Sequence, residues 1–437
     1  MSSPDSRSAG GSGVPYSGSA RAAVEAIWRI ESARIIATLT RAVGDFSRAE
    51  ELAQSALVQA LVQWPSEGVP RNPGAWLTTV AKRRAVDDWR RDQRLDDRHR
   101  QLASELATAP STTAGADQAW DREEITDDVL RLIFISCHPI LGRDARVTLT
   151  LRVVAGLSSD QLAAALLVPV ATVQQRVVRA KKTLAEADIP FALPPPQEFT
   201  ERLGSVLNVL YLIFNEGYVA SSGEQWQRPD LAREALRLAR MLAELVPDEP
   251  EAHGLVALME LHSSRTAART TANGDPVLLA DQDRTRWDRS QITRGLAALD
   301  RMDALGHGRG AYGLQAAIAR CHAVAPSVEQ TDWDSIVTLY EALGEVAPSP
   351  MVDLNRAVAV SMATGPADGL AILDTLTDHP MLRGHHLLPG VRGELLIRLD
   401  RPEEAAIELQ RAAELTANVR ERQVLLDKIT KLTGRDE

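Results

Sequence analysis

Two cysteines in 437 residues, Cys137 and Cys321, far apart in sequence, indicate no disulfide framework and offer no Cys-x-x-Cys metal or redox motif. Aromatic residues make up only 4% of the chain and alternating β-branched runs are scarce, which argues against a sheet-built core. Ala and Leu abound instead, so the chain reads as all-α. No stretch approaches the roughly 18 apolar residues that a membrane span needs. The first nineteen residues are rich in Ser, Gly and Pro without an apolar segment. They read as a disordered tail and not a signal peptide, and a cytoplasmic protein is expected. No Ser/His/Asp or Cys/His nucleophile spacing is present, so neither an enzyme nor a catalytic residue is expected.

Net positive charge is also missing. With 49 Lys and Arg against 59 Asp and Glu the formal net charge is -10, which taken evenly would exclude a nucleic-acid partner. The charge is uneven. Residues 1–190 hold 24 basic and 23 acidic side chains, with basic stripes at 82–100 and 176–182, while the remainder holds 25 and 36. An acidic half tethered to a basic one suggests regulation, and a solvated acidic surface explains it as well.

What is present begins with residues 157–182, two short helices joined by a tight turn. Ser158 and Gln161 have the spacing of a capping box, and Leu162, Ala163 and Leu166 share one face of the first helix. In the second helix Val173, Val177 and Ala180 point inward, whereas Thr172, Gln175, Arg176 and Arg179 lie near one side. Gln and Arg match adenine and guanine edges, and Lys181 and Lys182 suit phosphates. The pattern is a DNA-reading helix-turn-helix, built with Leu167 and Pro169 in its turn. A Pro is acceptable at a helix start, but Leu resists any position that needs positive φ.

Upstream, residues 45–61 form an amphipathic helix with an acidic start. A proline-bounded loop at Pro65–Pro73 precedes a helix over 74–91 that carries tryptophans and a basic run. Together with the helix-turn-helix, this arrangement resembles an extracytoplasmic-function (ECF) sigma factor of bacterial RNA polymerase over about residues 20–187. The remainder resembles the subgroup with a C-terminal tetratricopeptide-like extension. The resemblance implies partnership with the polymerase core enzyme and with promoter DNA. It implies core binding by Asp45, Glu50, Glu51, Leu52, Gln54 and Leu57. It assigns the minus-ten element to Trp76, Lys82, Arg83, Arg84, Asp87, Trp89, Arg90 and Arg91. It assigns the minus-35 element to Thr172, Gln174, Gln175, Arg176, Arg179, Lys181 and Lys182. The fold it implies is all-α: a sigma region 2 helical domain at 20–95, a flexible linker at 96–126 and a sigma region 4 helix-turn-helix domain at 127–187. A proline-rich linker at 188–199 then leads to a TPR-like helical array at 200–437, which is expected to modulate activity and offers a surface for a protein regulator.

The array is visible in the residues themselves. Helical stretches punctuated by Pro recur, and the units opening at Pro366 and Pro402 repeat near the tetratricopeptide period. The stretch 263–290 interrupts them. Within it, the charge-dense run of Asp281, Asp283, Arg284, Arg286, Trp287, Asp288 and Arg289 reads as a salt-bridged loop that pins the array, with a binding or acid–base surface as the alternative. The G-x-G-x-x-G of Gly308–Gly313 follows a helix and not a strand, so it reads as an interhelical loop without a nucleotide. Cys137-His138 and Cys321-His322 sit in apolar stretches without a second ligand pair, so no metal and no cofactor is expected. Two function classes stay open on the residues alone: a promoter-specificity subunit or related helix-turn-helix regulator, and a scaffold whose helical array binds proteins.

Overall fold

A computed structural model describes residues 16–91, 122–166, 168–218, 229–271, 277–416 and 419–434, leaving undescribed the side chains of 16–22, 88–91, 122–127, 164, 420 and 433. The expected tail therefore lies outside the described residues up to 15, and the expected linker lies outside them from 96 to 121. Leu167 also falls outside. The chain divides into two compact units, Met1–Val206 and Leu207–Glu437. Every regular element among the described residues is helical apart from one isolated bridge residue, Thr270.

The first unit is built on α1 (Tyr16–Val43), α2 (Phe46–Glu67), α3 (Pro73–Arg91), α4 (Arg122–Ser136), α5 (Arg143–Val153), α6 (Ser159–Leu166) and α7 (Val170–Glu186). Gly44 at φ +75 lets the chain leave α1. Asp45 then caps α2 by accepting from the Arg48 N–H at 2.9 Å. α2 outruns the expected 45–61 because Pro65 falls in its last turn, where the helix ends on Gly68 (φ +85). Asn72 caps α3 through the Ala75 N–H. α1 packs on α2, α3, α4 and α5 and buries Ile35, Ile36 and Leu39 completely. Helices from both expected sigma domains thus share a core. Gly156, at φ +70 between α5 and α6, permits the closest approach: a Cβ there would stand 2.5 Å from Ser32 Oγ and 3.2 Å from the Trp28 ring of α1.

The proline-rich stretch does not behave as a spacer throughout. Pro196 opens α8 (Pro196–Tyr218), an ordinary place for Pro, and the first turns of α8 belong to the first unit. Phe199 packs on Phe134 with ring centres 5.3 Å apart, Ser205 Oγ donates to the Cys137 carbonyl at 3.0 Å, and Arg146 donates to Ser205 at 2.8 Å.

The second unit continues with α9 (Pro229–Leu245), α10 (Pro250–Ser263), α11 (Arg289–Ala304), α12 (Ala311–Val324), α13 (Trp333–Val346), α14 (Pro350–Ala363), α15 (Pro366–Asp374), α16 (Leu387–Arg398), α17 (Pro402–Leu415) and α18 (Val419–Thr433). From α9 onward each helix packs on its sequence neighbours, and α10 on α12 and α14 on α16 add the next layer. Pro366 and Pro402 open α15 and α17, so the repeat spacing corresponds to one helical pair. Leu354, Leu373, Leu395 and Ala405 come from four successive helices to form one core, because no single pair encloses its own apolar face.

The G-x-G-x-x-G is only partly the expected interhelical loop: Gly308–Gly310 precede α12, and Ala311–Gly313 form its first turn. Its glycines make room for a carboxylate of the protein itself: Glu251 accepts from the Tyr312 N–H (2.7 Å) and the Gly313 N–H (3.1 Å), and a Cβ on Gly310 would meet it at 2.6 Å. The free N–H groups at the start of α12, which elsewhere cradle phosphate, are thus occupied. The charge-dense run at 281–289 differs from expectation. It makes no salt bridge among the described residues. Asp283 and Asp288 cap the turns that follow them, and Arg284 donates to the carbonyls of His322 (2.6 Å) and Ala325 (2.7 Å).

Candidate nucleic-acid interface

α6 and α7 make the helix-turn-helix, and α5 packs against both. The expected capping box forms in both directions: the Ser158 N–H donates to Gln161 Oε1 at 2.9 Å, and the Gln161 N–H donates to Ser158 Oγ at 3.1 Å. Pro169 sits just before α7, and its carbonyl accepts from Thr172 and Val173. Val173, Val177, Ala180 and Leu184 are buried at i, i+4, i+7 and i+11, which leaves Gln174, Gln175, Val178, Arg179 and Lys182 exposed on the opposite side. Val178, 63% exposed, was not among the expected readers. An exposed Val between Gln175 and Arg179 is a signal in its own right, since an apolar group in the major groove can pack on a thymine methyl.

Arg176 and Lys181 depart from the expected face. Arg176 pairs with Asp144 of α5 at 2.8 Å, so its guanidinium flanks the helix instead of leading it. Lys181 turns inward and places Nζ 2.5 Å from Glu50 Oε2 of α2. Thr172 is half-buried.

Glu50 is the other half of that contact. Expected to face polymerase, it is buried. Its Oε1 lies 3.4 Å from Arg152 Nε of α5 without making a hydrogen bond, so Lys181 is the principal partner. A carboxylate removed from water is tolerable only with such compensation. Leu52 is also buried, Gln54 and Leu57 are half-buried, and Asp45 is engaged as a cap. The outward side of α2 carries Glu51, Val58 and Val62 at i, i+7 and i+11, with the two valines 58% and 72% exposed. Helical periodicity placed Glu50 and Glu51 equally well, and the contacts with Lys181 and Arg152 separate them.

On α3, Trp76 meets the buried Trp64 edge-on at 5.3 Å and so belongs to the packing between α2 and α3. Arg84 Nη2 donates to Gln59 Oε1 at 3.2 Å and ties the same helices together. Lys82 is half-buried, and that burial together with the nearby Arg41 pulls its ammonium below the usual lysine range. Arg83 and Asp87 are exposed, and the side chains of Trp89, Arg90 and Arg91 lie outside the described residues. Cys137 is buried against Thr150, and burial pushes its thiol up to about 11. Among the described residues no group of His, Cys, Asp and Glu is placed to hold a metal ion, and no helix is long and apolar enough to cross a membrane.

The helix-turn-helix and the three-helix domain before it both fall in segments matched by models of sigma factor regions. Residues 29–95 match Sigma-70 region 2 and residues 131–184 match Sigma-70, region 4. The chain belongs to the extracytoplasmic-function sigma factors of bacterial RNA polymerase, which are not an enzyme family. It is 28% identical over 174 residues to the "Probable ECF RNA polymerase sigma factor SigI" of Mycobacterium tuberculosis (strain H37Rv), a match covering 40% of this chain and 58% of that protein. It is 43% identical to "Uncharacterized protein R00370" of Rhizobium meliloti (strain 1021), over 88% of this chain and 89% of the relative. Residues 202–303 match a family of unknown function (DUF6596). No solved structure matches.

Proposed function

We propose that this chain docks on core RNA polymerase through the outward face of α2 (Glu51, Val58, Val62), opens promoters with α3, and reads the minus-35 element with Gln174, Gln175, Val178, Arg179 and Lys182 of α7. The observation that carries the reading is the exposed Gln/Arg face of α7 in the segment matched by Sigma-70, region 4. Mapping chromosomal sites shared with polymerase, followed by run-off transcription with purified core enzyme, tests it. No promoter-dependent transcript from any shared site would sink the reading. Arg179→Ala is expected to lose promoter selectivity by about 1–3 kcal/mol, the worth of a good bidentate base contact. Lys182→Ala is expected to weaken all sequences alike and to flatten the salt dependence. Equal selectivity in Arg179→Ala would remove that side chain from the reading face.

The arrangement around Glu50 is read as a resting form. Lys181 cannot serve promoter phosphate while it neutralises Glu50, so full engagement of DNA requires α2 and α7 to part.

The helical second unit is proposed to be the tetratricopeptide-like extension that modulates the sigma module within the same chain, with a protein regulator as its further partner. The acidic excess after residue 190 and the stacked helix pairs support this. Because Phe199 and Ser205 belong to the first unit, the informative truncation ends after Val206 and not before α8. At equal protein levels its transcription is expected to differ from that of the full chain, rising if the extension masks and falling if it recruits. Equal transcription would leave modulation without support.

A further inference from the structure

Several arginines of the second unit are paired with carboxylates. Arg237 binds Glu234, Arg240 and Arg294 share Glu260, Arg309 binds Asp303, and Arg392 binds Asp374 and Glu408. Arg265, Arg269 and Arg284 are set apart by lying together, and none of the three makes an ion pair among the described residues. Glu329 acts on Arg284 only at longer range.

The three cations are gathered around two aromatic rings in the irregular stretch between α10 and α11. Arg269, 8% exposed, lies over Tyr218 with its guanidinium carbon 3.5 Å from the ring centre, and its Nη1 donates to the Tyr218 carbonyl at 2.6 Å. Arg265 Nη2 donates to the Tyr218 hydroxyl oxygen at 2.9 Å. Arg265 and Arg284 share Trp287, at 6.0 and 4.7 Å from its ring centre. Burial and the neighbouring guanidiniums pull Arg269 and Arg284 below the usual arginine range and hold His262 and His322 neutral.

Structural pinning uses only part of this cluster. Arg284 Nη1 makes both carbonyl contacts, while its Nη2 is buried with no hydrogen-bond partner among the described residues. The Trp287 indole N–H is buried with no partner as well, in a residue only 3% exposed. Buried N–H donors are normally matched, and charged ones nearly always are. Unmatched donors beside clustered cations that make no ion pair among the described residues have the chemistry that receives an oxyanion, for which the forked guanidinium is the best-fitting side chain.

We propose that Arg265, Arg284 and the Trp287 indole N–H, backed by Arg269, form a binding site for a small ligand bearing a carboxylate or phosphate group. This assigns a ligand-binding role to part of the segment matched by the family of unknown function. It is independent of promoter recognition.

The test is isothermal titration of the full chain with inorganic phosphate and, separately, with succinate, each against chloride at matched ionic strength. The indole N–H resonance of Trp287, assigned by its loss in Trp287→Phe, is followed in parallel. Saturable binding by one of the two anions with a shift of that resonance is expected, and the responding anion identifies the oxyanion class. Arg265→Gln and Arg284→Lys are expected to weaken binding by about tenfold or more, Lys keeping the charge but losing the fork. The proposal is overturned if no indole N–H resonance of the parent chain shifts in either titration, a result that needs neither the assignment nor any variant. Folded variants that bind as tightly as the parent overturn it too.

Discussion

Glu50→Ala is expected to cost the first unit about 3 kcal/mol and, at the same time, to tighten binding of a minus-35 duplex by the free chain. Removing one partner from a buried ion pair typically costs roughly 3–5 kcal/mol, because the remaining charge is stranded. Here the stranded groups are Lys181 and Arg152, whose side chains are 13% and 18% exposed, so both can turn toward water and the low end applies. Their release is what links stability to function, since Lys181 is then free to meet phosphate. Glu50→Gln keeps the shape and an acceptor while removing the charge, and should fall between parent and Ala. Urea unfolding gives the first quantity and fluorescence anisotropy with a labelled duplex gives the second. Stability within about 0.5 kcal/mol of the parent, the range of ordinary surface changes, together with unaltered affinity, would show that the contact restrains nothing.

The second large effect is a loss of stability in acid, carried by His322. Its ring is enclosed edge-on against Trp333 at 5.2 Å, with Nδ1 unpartnered. Burial, and then the charges of Arg265 and Arg284, push it from 6.5 down to about 4. The folded chain therefore takes up this proton later than the unfolded chain. Above pH 6.5 both hold a neutral imidazole, and the group leaves stability unchanged. Between 6.5 and about 4 the unfolded chain is protonated while the folded chain is not, and stability falls as pH falls. Below about 4 both are charged and the loss is complete. The full loss is about 3 kcal/mol at 1.36 kcal/mol per pKa unit. His262, lowered well below its usual value for the same reasons, adds in the same direction. His322→Phe keeps a ring against Trp333 without a titrating group, so urea midpoints measured across this range should fall less steeply for it. Equal slopes for parent and variant would place the acid sensitivity elsewhere.

Local features were the legible ones. The apolar period put Val173, Val177 and Ala180 inside, and the Ser158–Gln161 spacing marked a capping box, because both depend on residues within one turn of each other. Gly308 and Gly310 were readable as a loop for the same reason. Partners distant in sequence were not readable. Nothing near Gly313 announces Glu251, and nothing near Lys181 announces Glu50, 131 residues away. Arg176 and Gln175 are neighbours on a helical wheel, and Asp144 alone decides which of them turns aside. Pro196 was ambiguous by local rules, since proline suits both a stiff spacer and the first turn of a helix, and the packing of Phe199 selects the helix. The run at 281–289 had the composition of a salt-bridged loop, but its arginine partners turned out to be backbone carbonyls, which composition does not encode.

The inward turn of Lys181 divides α7 into a side open to change and a side that is not. On the proposed reading, substitutions at the exposed Gln174, Gln175, Val178, Arg179 and Lys182 alter what the helix presents to DNA. A substitution at Lys181 or Arg176 also disturbs Glu50 or Asp144, and so trades promoter preference against the integrity of the fold. Retargeting this helix to a new promoter is on that reading a problem of five positions, and a library that also varies Lys181 carries the added cost of leaving the buried Glu50 without its principal partner.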